Sequence, residues 1–327
     1  MINPRSWMSD LPSHIAQKPL NTICIPGSHD SFTYSITQRS LPSPDGPIYQ
    51  LAKYMPRSML SRVLYPWCVT QSLNLVDQLE AGIRYFDFRI CLRRKKRLSQ
   101  YDSTDYDFCL VHGQYANLLS IELESILHFL QSNPKEVIIV DCNHCYCFET
   151  DEQKDHFESL VLKIIGFSMF PHQQTIPTLE DIWSAKKQII FISCHRKFYE
   201  RIHMKFWPSN CIKSFWPETV DPLVMISFLN KHTESHQQRP DDIFCVYQAV
   251  LTPTVTFLLR HPFSSVHQLA KIAGKYFKEW LNKPNRFAGP YGVNITLIDF
   301  VSITYPEYIH DVISLNYKTW PNSQLIC

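Results

Sequence analysis

The chain is predicted to be an α/β protein built as a closed, or nearly closed, barrel of parallel strands with helices outside, and three observations predict it. Short apolar runs rich in Ile, Val and Phe recur along the 327 residues, as strands buried on both faces should. Helical patterns fall between most of these runs, and such alternation argues for a parallel sheet. At least seven runs occur without a glycine-rich phosphate loop, which favours a closed barrel over a doubly wound sheet. In such a barrel the site is expected at the carboxyl ends of the strands.

The expected strands are residues 22–25, 83–90, 108–112, 137–142, 188–193, 243–248 and 294–300. Helices are expected over 73–81, 120–131, 155–165, 178–183, 221–231, 265–281 and 308–315. The second carries Leu123, Ile126, Leu127 and Leu130 on one face. Thr178-Leu179-Glu180-Asp181 reads as a capped helix start, with acidic residues at the positive dipole end. No repeat or linker divides the chain, so residues 1–327 read as a single barrel domain with an insertion around 40–66. That insertion holds Pro42, Pro44, Pro47 and Pro56, then Met55, Met59, Leu60, Val63 and Leu64. It either packs on the barrel or forms a loop or short amphipathic helix that touches membrane or covers the site. Residues 98–107 read as a polar connection.

Composition narrows the function classes. Apolar residues at 45% and charged residues at 19% exclude a disordered chain. A net charge of +2 gives no case for nucleic acid. The basic run Arg93-Arg94-Lys95-Lys96-Arg97 reads as a solvated loop or as attraction to anionic lipid headgroups, at about 1 kcal/mol per residue near the surface. No stretch reaches the roughly 18 apolar residues of a membrane span. The first ten residues lack the apolar core of a signal peptide. The 11 cysteines follow no framework spacing, so an intracellular, cytoplasmic protein is expected. Cys142, His144, Cys145 and Cys147 bunch together, but no second C-x₂-C pair completes a zinc site.

Polar residues collect at the ends of the expected strands. His29 closes Ile25-Pro26-Gly27-Ser28-His29-Asp30 after what reads as a tight Pro-Gly turn. His112 closes Phe108-Cys109-Leu110-Val111-His112-Gly113. Between them runs Gly82-Ile83-Arg84-Tyr85-Phe86-Asp87-Phe88-Arg89, and Asn143 and Asp299 follow later strands. Two imidazoles, an arginine and several carboxylates suit acid–base chemistry on an anionic substrate. A lone histidine is usually structural, and Arg89 or Asp299 could serve a plain rim ion pair. Asp141 reads equally as a rim hydrogen-bonding group.

These motifs, in this order and followed by Pro134-Lys135-Glu136-Val137-Ile138-Ile139-Val140-Asp141, resemble the X region of phosphatidylinositol-specific phospholipases C. The resemblance is to the stand-alone X-domain proteins of animals, and through Leu297-Ile298-Asp299-Phe300 to the last barrel strand of the bacterial enzymes. It implies a distorted or incomplete triosephosphate-isomerase-type barrel. It also implies a phosphoric diester hydrolase that cleaves the glycerol-side P–O bond of phosphatidylinositol. The inositol 2-hydroxyl attacks phosphorus, giving diacylglycerol and a cyclic inositol phosphate. By this resemblance His29 is the general base and His112 the general acid. Asp299 pairs with an imidazole, Arg89 stabilises phosphoryl charge, and Asp30 and Asp87 position Arg89 and His112.

Calcium-dependent members place an acidic residue where Arg89 stands and a Glu near Asn143. A guanidinium repels the ion, so no metal and no cofactor are expected. Asn143 and Arg196 are the expected headgroup contacts, with Trp207, Trp216 and Tyr247 as candidate stacking surfaces. The implied setting is lipid metabolism and signal transduction, with phosphatidylinositol or a related diester lipid as substrate and transient contact with a membrane surface. Two other functions are weighed. One is an inactive module of the same fold that binds inositol lipid or protein; the intact His29, Asp30, Asp87, Arg89, His112 and Asp299 set argues against it. The other is a metal-dependent glycerophosphodiester or sphingomyelin phosphodiesterase, whose acidic cluster the Asp87/Arg89 arrangement does not supply.

Overall fold

The structure, a computed structural model, describes residues 2–46, 56–95, 104–194, 205–233, 239–261 and 263–321. Its strands are β1 (Ile25–Ser28), β2 (Tyr85–Arg94), β3 (Tyr106–Val111), β4 (Tyr115–Leu118), β5 (Ile138–Tyr146), β6 (Ile189–Ser193), β7 (Phe206–Pro208), β8 (Ile212–Phe215), β9 (Phe244–Gln248) and β10 (Ile295–Ile298). Its helices are α1 (Ser13–Ala16), α2 (Arg57–Cys68), α3 (Leu75–Ala81), α4 (Leu119–Ser132), α5 (Asp151–Ile165), α6 (Leu179–Ser184), α7 (Pro222–Thr233), α8 (Val255–Arg260), α9 (Val266–Leu281) and α10 (Tyr308–Thr319).

Eight strands form a parallel barrel in the order β7-β6-β5-β2-β1-β10-β9-β8. Among the described residues no pairing joins β7 to β8, so the barrel is open at one seam. The expected α/β barrel, incomplete in closure, is therefore the fold. Phe206–Pro208 and Ile212–Phe215 were not expected as strands; three or four residues flanked by loops show no period to read.

One expected barrel strand is something else. β3 runs antiparallel to the outer half of β2, and β4 pairs back onto β3. β2 is ten residues long and overshoots the barrel, so the returning chain pairs beside the overshoot. His112 thus comes to the site from a hairpin and not from a parallel barrel strand. β1 also differs from its expected form. It runs through Pro26 and Gly27, where a turn was expected. Gly27 is required by close approach, because a Cβ there would lie 2.8 Å from Tyr85 Cδ1 and 2.9 Å from the Thr296 carbonyl.

Helix starts follow local chemistry. Asn74 caps α3, Ser265 caps α9, and reciprocal capping boxes start α5 (Thr150 with Gln153) and α6 (Thr178 with Asp181). Thr150→Ala is expected to lower stability by about 1 kcal/mol, read as a lower urea midpoint with unchanged slope. At the far end of the barrel Arg84 Nη2 pairs with Glu136 Oε2 at 2.8 Å, both buried. Glu136 also accepts from Ser9 N at 2.9 Å, which ties the N-terminal segment beneath the sheet.

α2 begins within the expected insertion and packs its inner face beside Ile36. Leu60, Leu64 and Cys68 are buried with Ile36, while Met59 and Val63 face outward at 56% and 53% exposure. Pro47, Met55, Lys96 and Arg97 lie outside the described residues.

Candidate active site

β1, β2, the β3 hairpin and the segment after β10 bring six side chains together. His29 follows β1 directly, and Asp30 turns the chain with a left-handed backbone (φ 40°), a conformation Asp tolerates better than most residues. Asp87 and Arg89 lie two apart on β2 and share its inner face. A bulge between Phe88 and Arg89, where β2 pairs with β5, adds one residue on β5. Gly113, with φ 67°, allows the hairpin to close on α2; a Cβ there would sit 2.6 Å from Cys68 Sγ.

Asp30 is the hub. Its Oδ2 lies 3.2 Å from His29 Nε2 and 3.3 Å from His112 Nε2, and its Oδ1 lies 2.8 Å from Arg89 Nε. These are charge contacts without linear hydrogen-bond geometry, so both Asp30 oxygens keep acceptor capacity. Asp87 buttresses the hub: its Oδ2 accepts from Asp30 N at 3.1 Å and its Oδ1 from Asn143 Nδ2. The His29 and His112 ring centroids are 6.2 Å apart, nearly edge to face.

The partners set the tautomers. Asp299 Oδ1 accepts from His29 Nδ1 at 2.7 Å, which leaves His29 Nε2 as the atom facing the cleft. The Cys68 carbonyl can only accept, so His112 Nδ1 carries a proton at 2.8 Å and His112 Nε2 also faces Asp30. Arg89 Nη2 stands 3.5 Å from His29 Nε2.

The charges adjust to one another. Burial pulls the His29 imidazole down, but Asp30, then Asp299 and Asp87, outweigh it and raise it to about 9. Burial pushes Asp30 up, but Arg89, His112 and His29 hold it below its ordinary value. Arg89 is raised, because Asp30 and Asp87 outweigh its burial. Asp141, in register with Asp87, accepts from Tyr85 Oη at 2.7 Å. Its burial raises it to about 7, against the Tyr85 hydrogen bond.

His29, Asp30 and Asp87 are the one group among the described residues whose ligand atoms converge enough for a metal ion, within 4.8 Å of one another. A calcium ion at this donor set would face a fixed positive charge. Arg89 occupies the open side of Asp30, and Asp87 is engaged by Asn143 and a backbone N–H. Cys142 and Cys145 approach to 3.6 Å between sulfurs, while His144 turns instead to Asn143 Oδ1 at 2.7 Å.

The expected headgroup residues fare differently. Both ends of the Asn143 amide are engaged, by Asp87 and His144. Trp207 is fully buried, with Nε1 donating to the Phe170 carbonyl, and is not brought to the histidines. Tyr247 is buried against Phe215, also away from them. Trp216 donates from Nε1 to Thr252. Arg196 lies outside the described residues.

Sequence reasoning missed Thr70 and Gln71. Thr70 Oγ1 donates to the His29 carbonyl at 3.0 Å. Gln71 Nε2 donates to the carbonyls of His29 and Ile298, and Gln71 Oε1 accepts from Val301 N. The pair locks the His29 turn to the Asp299 turn. Two polar residues after a helix carry no pattern that announces this.

No protein-family model matches the chain. It is 33% identical over 319 residues to the PI-PLC X domain-containing protein 2 of Mus musculus, covering 95% of this chain and 87% of that one. It is 32% identical over 324 residues to the PI-PLC X domain-containing protein 3 of Homo sapiens, covering 95% and 93%. Among solved structures, a phosphatidylinositol-specific phospholipase C from Staphylococcus aureus superposes with a TM-score of 0.67 at 17% identity, covering 96% of this chain and 98% of that one. That from Listeria monocytogenes does so with a TM-score of 0.62 at 21% identity, covering 96% and 98%. The barrel is thus the one those bacterial enzymes share, and on sequence the chain belongs to the PI-PLC X domain-containing proteins.

Proposed function

We propose that the chain is a phosphoric diester hydrolase of the phosphatidylinositol-specific phospholipase C type, acting without calcium. The observation that carries this is the pair of histidines around Asp30 and Arg89, each with Nδ1 held by its own acceptor and Nε2 toward one cleft. His29 Nε2 takes the proton of the inositol 2-hydroxyl as that oxygen bonds to phosphorus. His112 Nε2 returns a proton to the departing glycerol oxygen, so diacylglycerol leaves and a cyclic inositol phosphate remains. Arg89 donates to the phosphoryl oxygens as charge builds there. Asp299 holds the His29 tautomer and stabilises its imidazolium. In this reading the protein works in lipid metabolism and signal transduction in the cytoplasm.

The test is cleavage of phosphatidylinositol vesicles by the full chain, with excess chelator and with calcium. Cyclic inositol phosphate formed in chelator supports the reading. No turnover by folded protein in either condition overturns it and leaves the binding-module reading.

The His29 environment gives a pH signature. With His29 raised to about 9, roughly one imidazole in a hundred is neutral at pH 7. A base must be neutral to act, so the His29 limb of kcat/KM is expected to end near pH 9, superimposed on the requirement that the acid carry its proton. Asp299→Asn removes one of the charges that raise His29, so that limb moves to lower pH. An Asp299→Asn profile that superposes on that of wild type would contradict the assignment. The stability linkage has the opposite sense. The protonated ring's contribution is complete below its ordinary value of 6.5 and fades as pH rises through about 9.

No described helix is long and apolar enough to cross a membrane. Contact with the lipid surface is assigned to the outer face of α2, through Met59 and Val63, with Phe263 (97% exposed) after α8. A Met59→Ser/Val63→Ser variant is expected to pellet less with phosphatidylinositol vesicles while keeping its unfolding temperature.

A further inference from the structure

A second concave site lies on the outside of the barrel. Lys213, Phe215, His232, Arg239, Tyr247 and Tyr291 help line a cavity of about 120 Å³. Arg239 precedes β9 and Tyr291 precedes β10, so the cavity borders the entry ends of those strands. Asp299 follows the other end of β10, on the side of the histidines.

Arg239 is only 7% exposed. Its Nη2 donates to the Gly292 carbonyl at 2.6 Å, while Nη1 is buried without a hydrogen-bond partner. Among the described residues, no carboxylate lies within 4.0 Å of Arg239 or Lys213. A buried guanidinium without counter-charge is costly, and a partner anion would remove that cost. The other donors converge from neighbouring elements. Lys213 lies opposite Cys245 across β8 and β9, and the Tyr247 hydroxyl adjoins the guanidinium. His232, near the end of α7, stacks on Phe215 with ring centroids 4.1 Å apart. The acidic residues closest in sequence, Asp241 and Asp242, are exposed and do not line the cavity.

We propose that this cavity binds the phosphate group of a phosphomonoester, at a site separate from the diester-cleaving cleft. Arg239 and Lys213 supply two positive charges, and the Tyr247 hydroxyl a third donor. That set suits a tetrahedral dianion better than a lone carboxylate. The volume admits a phosphate group and no acyl chain, and the half-exposed Tyr291 ring offers a face to an attached alcohol. Occupancy ties the segment before β9 to the one before β10, beside the open seam, and so stabilises the native state by mass action.

The test is thermal unfolding and ³¹P line broadening of the full chain at constant ionic strength. It is titrated with inorganic phosphate and with inositol 1-phosphate, and pelleting is measured with vesicles containing phosphatidic acid. A saturable response to the soluble probes that persists in Arg89→Ala and weakens in Lys213→Ala identifies a free phosphomonoester, and Lys213-dependent pelleting identifies a lipid headgroup; either supports the site. Binding is expected to weaken at least tenfold in Lys213→Ala, to vanish in Arg239→Met, and to persist in Arg89→Ala. Lys213 is exposed, so its variant decides the matter if Arg239→Met does not fold. Binding that survives Lys213→Ala unchanged, or that is lost in Arg89→Ala, overturns the proposal, as does the absence of saturation with every probe.

Discussion

His29→Ala is expected to lower phosphatidylinositol cleavage by about 10²–10⁴-fold, the usual loss when a general base is removed. The nitrogen that matters is Nε2, since Asp299 occupies Nδ1 at 2.7 Å. No neighbour can take over. Asp30 lies beside the same cleft, but Arg89, His112 and His29 hold it below its ordinary value and make it a poor base. The variant leaves Asp299 buried without its imidazole, which costs stability. His29→Gln keeps a donor in that region and provides the control. Both variants are to be compared with wild type by initial rate and by thermal unfolding. A folded His29→Gln protein within tenfold of wild type would remove His29 from the mechanism. His112→Ala should match His29→Ala in size, because the two act in one proton-transfer sequence and their losses do not add.

Arg89→Ala is expected to cost about 3–4 kcal/mol in kcat/KM, as loss of a charge-stabilising donor does in comparable sites. Arg89→Lys should recover only part of this. A lysine ammonium cannot present two parallel N–H groups, and its shorter reach would loosen the 2.8 Å contact with Asp30. The same residue governs the metal question. A calcium ion beside Asp30 would meet the Arg89 guanidinium, so wild-type turnover is expected to be unchanged by excess chelator. Turnover that appears only when calcium is added would sink both the role of Arg89 and the metal-free mechanism.

The cleft also shows which residues can be read locally. The His29-Asp30, Asp87-x-Arg89 and His112-Gly113 motifs lie on or beside short apolar runs, and each motif carries its own structural cause. Asp87 and Arg89 share a face because strand side chains alternate with period two. Their meeting with His112 depends on β2 overshooting the barrel and β3 returning antiparallel, and no spacing along the chain states this. Tyr247 lies two positions from Cys245 on β9, yet which face those positions occupy depends on pairing with β8 and β10. That pairing turns Tyr247 outward, beside Arg239 and Phe215.

The amino-acid sequence by itself determined the α/β class, the parallel barrel, most helix starts and the family, because periodicity, caps and ordered motifs are local properties. Tertiary structure alone decided that His112 arrives on a hairpin, that Asn143 is held between Asp87 and His144, and that Thr70 and Gln71 lock the His29 turn. It also decided that, among the described residues, Arg239 Nη1 is buried without a hydrogen-bond partner. Those outcomes rest on hydrogen bonds and packing between segments up to 230 positions apart, as for Gln71 with Val301. Such contacts form only when the whole barrel assembles, and a local pattern cannot encode them.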